Sequence, residues 1–121
     1  MNEPFPPMPE RPNPLKLNPL QLKTLAILQA LAKEPAFADP PDVDGMVRIR
    51  AFPVAHGDHF HIGRFLVHAK DATGLSNHNV FNVLARKGLI LAGPAGEPVL
   101  TPTGLAYETG IARTILHESG H

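Results

Sequence analysis

The chain of 121 residues contains no cysteine and no tryptophan, and it has a single tyrosine. Without cysteine there is no disulfide bond, no thiolate metal site and no cysteine nucleophile. No apolar run approaches the roughly 18 to 20 residues of a membrane-spanning helix. The N-terminus has neither the basic region nor the apolar core of a signal peptide. We therefore expect a cytoplasmic protein with no membrane partner.

The chain also lacks an excess of charge of either sign, with 11 Lys and Arg against 11 Asp and Glu. Nucleic-acid-binding domains usually carry a basic excess, so the overall balance gives no support to that class. The charge is unevenly spread, however. Residues 62–91 contain four basic residues and one acidic residue, a balance of 4 − 1 = +3.

Proline is concentrated at the N-terminus, where residues 1–14 contain six of the fourteen prolines. Because proline fixes φ and removes a backbone donor, this segment cannot form a helix or a central strand. We predict a disordered, proline-rich arm over residues 1–14, one folded domain over residues 15–117 and a short tail over residues 118–121. The length of the chain agrees with a single domain.

The first half of the domain predicts a helix, two strands and a second helix. In LNPLQLKTLAILQALAKEP, Asn18 is a suitable N-cap, Pro19 suits the first helical position, and Gln21 completes a capping box. Apolar residues nearly encircle this helix, which predicts burial on most sides, and Pro35 ends it. MVRIRAFPV and HFHIG predict strands. RFLVHAKDA, residues 64–72, places apolar residues on one face and predicts a helix.

A third helix is predicted within GLSNHNVFNVLARKGLI, residues 74–90. Ser76 is a good N-cap, and Gly88 stands where a left-handed C-terminal residue is favoured. At about 100° per residue, the apolar and polar side chains separate onto opposite sides. The apolar side comprises Val80, Phe81, Val83, Leu84 and Ala85, and the polar side comprises His78, Asn79, Asn82 and Arg86.

The last part of the chain predicts a hairpin and a helix. LILAGPAGEPVLT has the pattern of two short strands around a glycine and proline turn. In TPTGLAYETGIARTILHESG, Thr101 is a suitable N-cap, Pro102 suits the first turn, and one apolar stripe runs along the segment. Gly110 weakens this helix by up to about 1 kcal/mol.

Three motifs in this order resemble the MarR-like transcriptional regulators. LNPLQLKTLAIL resembles the opening helix of that family, GLSNHNVFNVLARKGLI resembles its second and third helices with their turn, and VLTPTGLAYE resembles the segment after its wing. The likeness covers roughly residues 15–33 and 62–116. It implies an α+β, mainly α fold, a winged helix-turn-helix with a three-helix core, a small β-hairpin wing and a C-terminal helix. It also implies a homodimeric regulator of transcription.

The polar side of the third helix carries the functional prediction, which is sequence-specific binding of double-stranded DNA. Asparagine can bind adenine, arginine can bind guanine, and basic side chains also contact phosphate. The wing sequence AGPAGEP has no basic residue and contains Glu97, so affinity would depend on the helix and on a dimer that doubles its contacts. The predicted DNA-binding residues are Asn77, His78, Asn79, Asn82, Arg86 and Lys87.

Two other functions remain open. The same polar side can be a solvated or protein-contacting surface in a winged-helix interaction module. The turn HGDHFHIG also places His56, Asp58, His59 and His61 close together in sequence, and Zn²⁺ accepts such ligands, which predicts a metal-responsive protein as the alternative. No phosphate loop or nucleophile motif is present, so we expect neither an enzyme nor a cofactor.

Overall fold

The computed structural model describes residues 13–118, and the first helix, α1 (Pro19–Leu31), contributes the largest share of the buried core. The predicted capping box is confirmed: Asn18 Oδ1 accepts from the Gln21 amide at 2.8 Å, and Gln21 Oε1 accepts from the Asn18 amide at 2.9 Å. The helix ends at Leu31, before the predicted Pro35. Its central residues are buried, as the surrounding apolar pattern predicts.

The remaining elements are short strands and short helices. They are β1 (Val47–Arg48), β2 (His59–Ile62), β3 (Phe65–His68), two 3-10 helices (Ala69–Asp71 and Thr73–Ser76), α2 (His78–Arg86), β4 (Ile90–Ala92), β5 (Pro98–Leu100), α3 (Pro102–Ala106), α4 (Ala112–Ile115) and β6 (His117–Glu118).

The protein is a small α+β structure, and the predicted mainly helical winged helix-turn-helix is wrong. Helices account for 36% and strands for 20% of residues 13–118, and the strands form two separate three-stranded antiparallel sheets. The prediction contained a core of three helices, one hairpin and two further short strands. A second sheet occupies the position where the middle helix of that core was expected.

The first sheet has the strand order β1-β5-β4. The hairpin predicted after the third helix is confirmed as β4 and β5, which pair with Ile90 opposite Leu100. The strand predicted at Val47 is also present, but it pairs over only two residues, and Ile49 then forms an isolated bridge with Ala38. Val47 and Ile49 are buried while Arg48 between them is exposed, as their alternation predicts.

The second sheet has the order β2-β3-β6 and replaces the helix predicted over residues 64–72. Its first two strands form a hairpin in which Ile62 pairs with Phe65, so only Gly63 and Arg64 form the loop. Gly63 has φ +58, and a two-residue hairpin turn with glycine in the first loop position matches the twist of its strands. This turn directs the following apolar residues back along β2, which overrides their helical spacing.

The C-terminal helix is divided, in contrast to the single helix that was predicted. Thr101 caps α3 by accepting from the Gly104 amide at 3.0 Å, and α3 ends at Ala106. Gly110 then adopts φ +69, a left-handed conformation that interrupts a right-handed helix, and α4 begins at Ala112. The interruption lets the last residues turn and add β6 to the second sheet.

Most of the predicted proline-rich arm, residues 1–12, and residues 119–121 of the predicted tail lie outside the described residues. The first described residues are attached to the domain. Asn13 Oδ1 accepts from the Leu17 amide at 3.0 Å and from the Tyr107 hydroxyl, and the Leu15 amide donates to that hydroxyl at 3.2 Å. Between residues 13 and 118, none of the helices has the length and apolar character to cross a membrane.

Gly74 lies where the 3-10 helix before α2 crosses α1. A Cβ atom on Gly74 would lie 1.9 Å from Thr24 Oγ1 and 3.2 Å from Thr24 Cβ. Gly74 is buried and Thr24 is fully buried, so neither side has room to move. The glycine is therefore required for close approach of the two segments.

We expect Gly74→Ala to lower the free energy of unfolding by about 1 to 3 kcal/mol, because the added methyl overpacks the core. Chemical denaturation would measure this loss. The matched test combines Thr24→Ala with each of two glycine variants, Gly74→Ala and Gly57→Ala. Thr24→Ala should recover part of the stability lost in Gly74→Ala. Its effect should be additive with that of Gly57→Ala, because a Cβ atom on Gly57 meets nothing within 4 Å. If the effect of Thr24→Ala is strictly additive with that of Gly74→Ala as well, the proposed contact between the two residues is wrong.

Candidate nucleic-acid interface on helix α2

Helix α2 is fixed to the core at both ends and along its inner side. Val80 and Leu84 are buried, as predicted. The N-cap is Asn77 and not the predicted Ser76: Asn77 Oδ1 accepts from the Asn79 amide at 2.9 Å and from the Val80 amide at 3.3 Å. At the other end Gly88 has φ +77, the left-handed conformation that was predicted.

The outward side of α2 carries four exposed polar side chains, and we call it the α2 polar face. Its members are His78, Asn79, Asn82 and Arg86. Within residues 13–118, none of the four side chains has a hydrogen-bond or ion-pair partner. Their donors and acceptors are therefore available to a ligand. Ala85, predicted on the apolar side, is exposed beside them.

Two of the predicted DNA-binding residues have structural contacts instead. The Asn77 side-chain oxygen is occupied by the two backbone amides of the N-cap. The Lys87 ammonium donates to the carbonyl oxygen of Leu15, and Lys87 is only partly exposed. Both side chains therefore hold α2 in place. The α2 polar face retains Arg86 as its one permanently charged group.

Ion pairs neutralise the charges beside the β4-β5 hairpin. Arg48 on β1 donates from Nε to Glu97, and Arg48 and Arg50 each contact Asp39 at 3.2 Å. Glu97 Oε1 also accepts from the Ala95 amide at 2.8 Å within the hairpin turn. The hydrogen bond from Arg48 lowers the pKa of Glu97 and raises that of Arg48. The hairpin therefore presents no unpaired cation from these residues to phosphate.

The predicted metal candidates do not converge. His59 and His61 lie on the same side of β2, as predicted, with ring centroids 5.2 Å apart, and the His56 ring is 6.2 Å from that of His61. Asp58 is exposed and lies 3.3 Å from His59 Nδ1, a hydrogen bond that lowers the pKa of Asp58. Among residues 13–118, no group of three or more histidine, cysteine or acidic side chains is arranged to hold a metal ion.

Two further histidines, His68 and His117, lie in this region. His68 pairs with His59 across the β2-β3 hairpin. His117 lies on β6, and its ring centroid is 5.1 Å from that of His68. The sequence pattern around His117 predicted a helix, so the sequence did not indicate that this residue lies on the second sheet.

Comparison with known protein families, curated proteins and solved structures finds no match to this chain.

The two candidate caps of α2 can be distinguished by their effects on stability. Asn77→Ala should reduce the free energy of unfolding by about 1 kcal/mol, since two backbone amides lose their acceptor. Ser76→Ala should cost less, because the Ser76 hydroxyl only donates to the Thr73 carbonyl at 3.3 Å. Thermal and urea denaturation would compare the two variants. A larger loss for Ser76→Ala would restore the cap that the sequence predicted.

The stability contributed by Glu97 should depend on pH. Its pKa is lowered in the folded state, so its ion pair with Arg48 stabilises the protein above its ordinary pKa of 4.5 and is lost as the pH falls through the lowered value. Glu97→Gln should therefore melt below the wild type at pH 7, and the difference should shrink below about pH 4.5. Glu108→Gln is the control, because the Glu108 side chain is exposed and has no partner in residues 13–118. A difference that is constant with pH would contradict the ion pair.

Proposed function

We propose that the protein binds double-stranded DNA through the α2 polar face and regulates transcription. The observation that carries this proposal is that four polar side chains are exposed and have no partner in the described part of the chain. His78, Asn79, Asn82 and Arg86 are exposed on one side of an anchored helix and have no partner among residues 13–118. Because the backbone beneath these side chains is already ordered, binding would cost side-chain conformational entropy but little backbone entropy.

The four side chains match the chemistry of base edges. The amides of Asn79 and Asn82 can each donate and accept at one adenine, and the Arg86 guanidinium can donate twice to guanine. The helix has 9 residues, about 13 to 14 Å at 1.5 Å per residue. The major groove of B-form DNA is about 12 Å wide and accepts an α-helix. The face can therefore contact two or three successive base pairs.

The charge of this region limits the affinity of one copy. Arg86 is the only permanently charged group of the α2 polar face, and Lys87 donates to the protein backbone. One copy would release few counterions from DNA, so its binding would be weak and only mildly dependent on salt. We therefore include a homodimer in the proposal, since two copies double these contacts and read two half-sites about 34 Å apart.

The other predictions about cellular role depend on the sequence alone. The likeness to MarR-like regulators is confined to the three motifs, and it stays a prediction about this chain's relationships, as does a cytoplasmic location. If a protein and not DNA occupies the α2 polar face, the same four side chains would form that contact.

The test begins with selection from random duplexes and then compares variants on selected and scrambled DNA. If Arg86 contacts a base, Arg86→Ala should weaken binding by about 1 to 3 kcal/mol and reduce the base preference at one position of the DNA site. If Arg86 contacts a phosphate, all sequences should lose affinity equally, and the salt slope should fall by about one. Asn82→Ala should reduce specificity without changing the salt slope, because a neutral amide releases no counterion. Sedimentation of the complex would count the bound copies.

Arg113→Ala is the matched control for Arg86→Ala. Arg113 is exposed on α4 and has no ion-pair partner in the described part of the chain, so this change removes the same charge from another helix. It should leave the selected sequence unchanged. If the folded Arg86 and Asn82 variants bind as the wild type does, or if the wild type selects no sequence, the α2 polar face does not read DNA and the protein-contact function replaces it.

A further inference from the structure

Lys16 is the one residue other than glycine between residues 13 and 118 whose backbone lies in the left-handed region, with φ +55. A side chain in this region brings its Cβ atom close to the following carbonyl oxygen, so glycine is favoured there. The six other positions of positive φ in the described part of the chain are all glycine. A lysine at position 16 is therefore less stable in this conformation than a glycine would be.

The turn that contains Lys16 is closed by hydrogen bonds on both sides of it. The Lys16 amide donates to the Asn13 carbonyl at 2.9 Å. The Leu17 amide donates to Asn13 Oδ1 at 3.0 Å, and Asn13 Nδ2 donates to the Leu17 carbonyl at 2.9 Å. Leu17 is itself buried in the core. The left-handed conformation of Lys16 is therefore part of the ordered turn that leads into α1.

The side chain of Lys16 makes no contribution to this turn. Lys16 is exposed, and its ammonium has no hydrogen-bond or ion-pair partner among residues 13–118. A residue that departs from the local backbone preference without any gain in packing is expected where function requires it. The side chain of Lys16 is therefore available to a ligand from a backbone that is already fixed.

The turn lies beside the C-terminal end of α2. The Leu15 carbonyl accepts from the ammonium of Lys87, which is the C-cap residue of α2. Lys16 follows Leu15 in the chain, and Arg86 precedes Lys87. Two exposed cations without partners in residues 13–118 are therefore each the chain neighbour of one member of this contact.

The chain on both sides of this contact contains no carboxylate. Residues 13–33 and residues 72–96 have no aspartate or glutamate, and together they contain five basic residues, Lys16, Lys23, Lys33, Arg86 and Lys87. Lys23 is paired with Asp71 at 2.9 Å. Residues 1–12, outside the described part of the chain, contain two glutamates and one arginine. The described surroundings of Lys16 therefore favour an anionic ligand.

We propose that Lys16 binds a DNA phosphate beside the C-terminal end of α2, a contact that adds affinity without reading sequence. This inference rests on the proposed function, in which α2 occupies the major groove. The two phosphate backbones border that groove, so a cation beside the end of the helix lies nearer to phosphate than to base edges. The lysine ammonium is a compact charge with three donors on a flexible stem, which suits a phosphate.

The experiment measures binding of the full chain to selected and scrambled DNA duplexes over a range of salt concentrations. Lys16→Gln removes the charge and retains a side chain in the left-handed turn. The salt slope should fall by about 0.9 for each bound copy, equally on both duplexes. This slope corresponds to a roughly eightfold loss of affinity for each copy at 0.1 M salt, which should disappear near 1 M. Lys16→Arg should keep the wild-type slope.

The matched control is Lys33→Gln. Lys33 is also exposed and has no side-chain partner in residues 13–118, but it follows the opposite end of α1. The 13 residues of α1 separate the two lysines by about 20 Å at 1.5 Å per residue. Lys33→Gln should therefore keep the wild-type salt slope.

Lys16→Gly separates a phosphate contact from a structural role. It should raise the melting temperature, because glycine favours the left-handed conformation, and it should weaken DNA binding as Lys16→Gln does. A lower melting temperature with an unchanged salt slope would show that Lys16 has a structural role, and the proposal would be wrong.

The outcomes distinguish this inference from the proposed function. If the wild type selects a sequence and Arg86→Ala weakens its binding, but Lys16→Gln keeps the wild-type slope, the contact of Lys16 is wrong and the proposed function stands. A carboxylate of residues 1–12 that already neutralised Lys16 would give this same result. If the wild type selects no sequence but Lys16→Gln lowers the slope on every duplex, the phosphate contact stands and sequence reading by α2 fails. If the wild type binds no duplex, both are wrong.

Discussion

The contact between Gly74 and Thr24 determines how the rest of the molecule is arranged around α1. Thr24 is fully buried, and its hydroxyl donates to the Leu20 carbonyl at 2.8 Å, so its polar atom is satisfied within its own helix. The backbone at Gly74 can then lie directly against it, at a separation that leaves no space for a Cβ atom. Because α2 begins four residues later, this contact fixes the chain at the start of that helix against α1.

A second close approach fixes the other end of α2. The Thr101 hydroxyl donates to the Gly88 carbonyl at 2.7 Å, which joins the start of α3 to the chain leaving α2. Gly104 lies so near Leu89 that a Cβ atom would be 2.0 Å from the Leu89 carbonyl oxygen. The α2 polar face is therefore held between two backbone contacts that only glycine permits. A surface used for recognition benefits from such rigidity, because its geometry is set before a ligand arrives.

The features that were predicted correctly are those encoded within a few consecutive residues. The capping box of Asn18 and Gln21, the left-handed Gly88 and the β4-β5 hairpin all depend on local backbone preferences. The third strand of the second sheet depends on a partner far along the chain: His117 pairs with Leu66, 51 positions away, and no local pattern specifies that pairing. Phe65 to His68 is a short apolar run that fits either a helix or a strand. The four residues of the α2 polar face could be predicted from helical periodicity. The contacts of Asn77 and Lys87 could not, because they depend on the folded chain.

The attachment of residues 13–17 has a consequence for how ligands reach α2. The Lys87 ammonium binds the Leu15 carbonyl, and the Tyr107 hydroxyl binds Asn13, so the described chain begins beside the C-terminal end of α2. Asn13 and Leu15 are therefore held between the end of α2 and the residue that follows α3. A ligand that approached this end of α2 would meet Arg86 as an available cation, whereas the Lys87 ammonium keeps its contact with the chain that leads into α1.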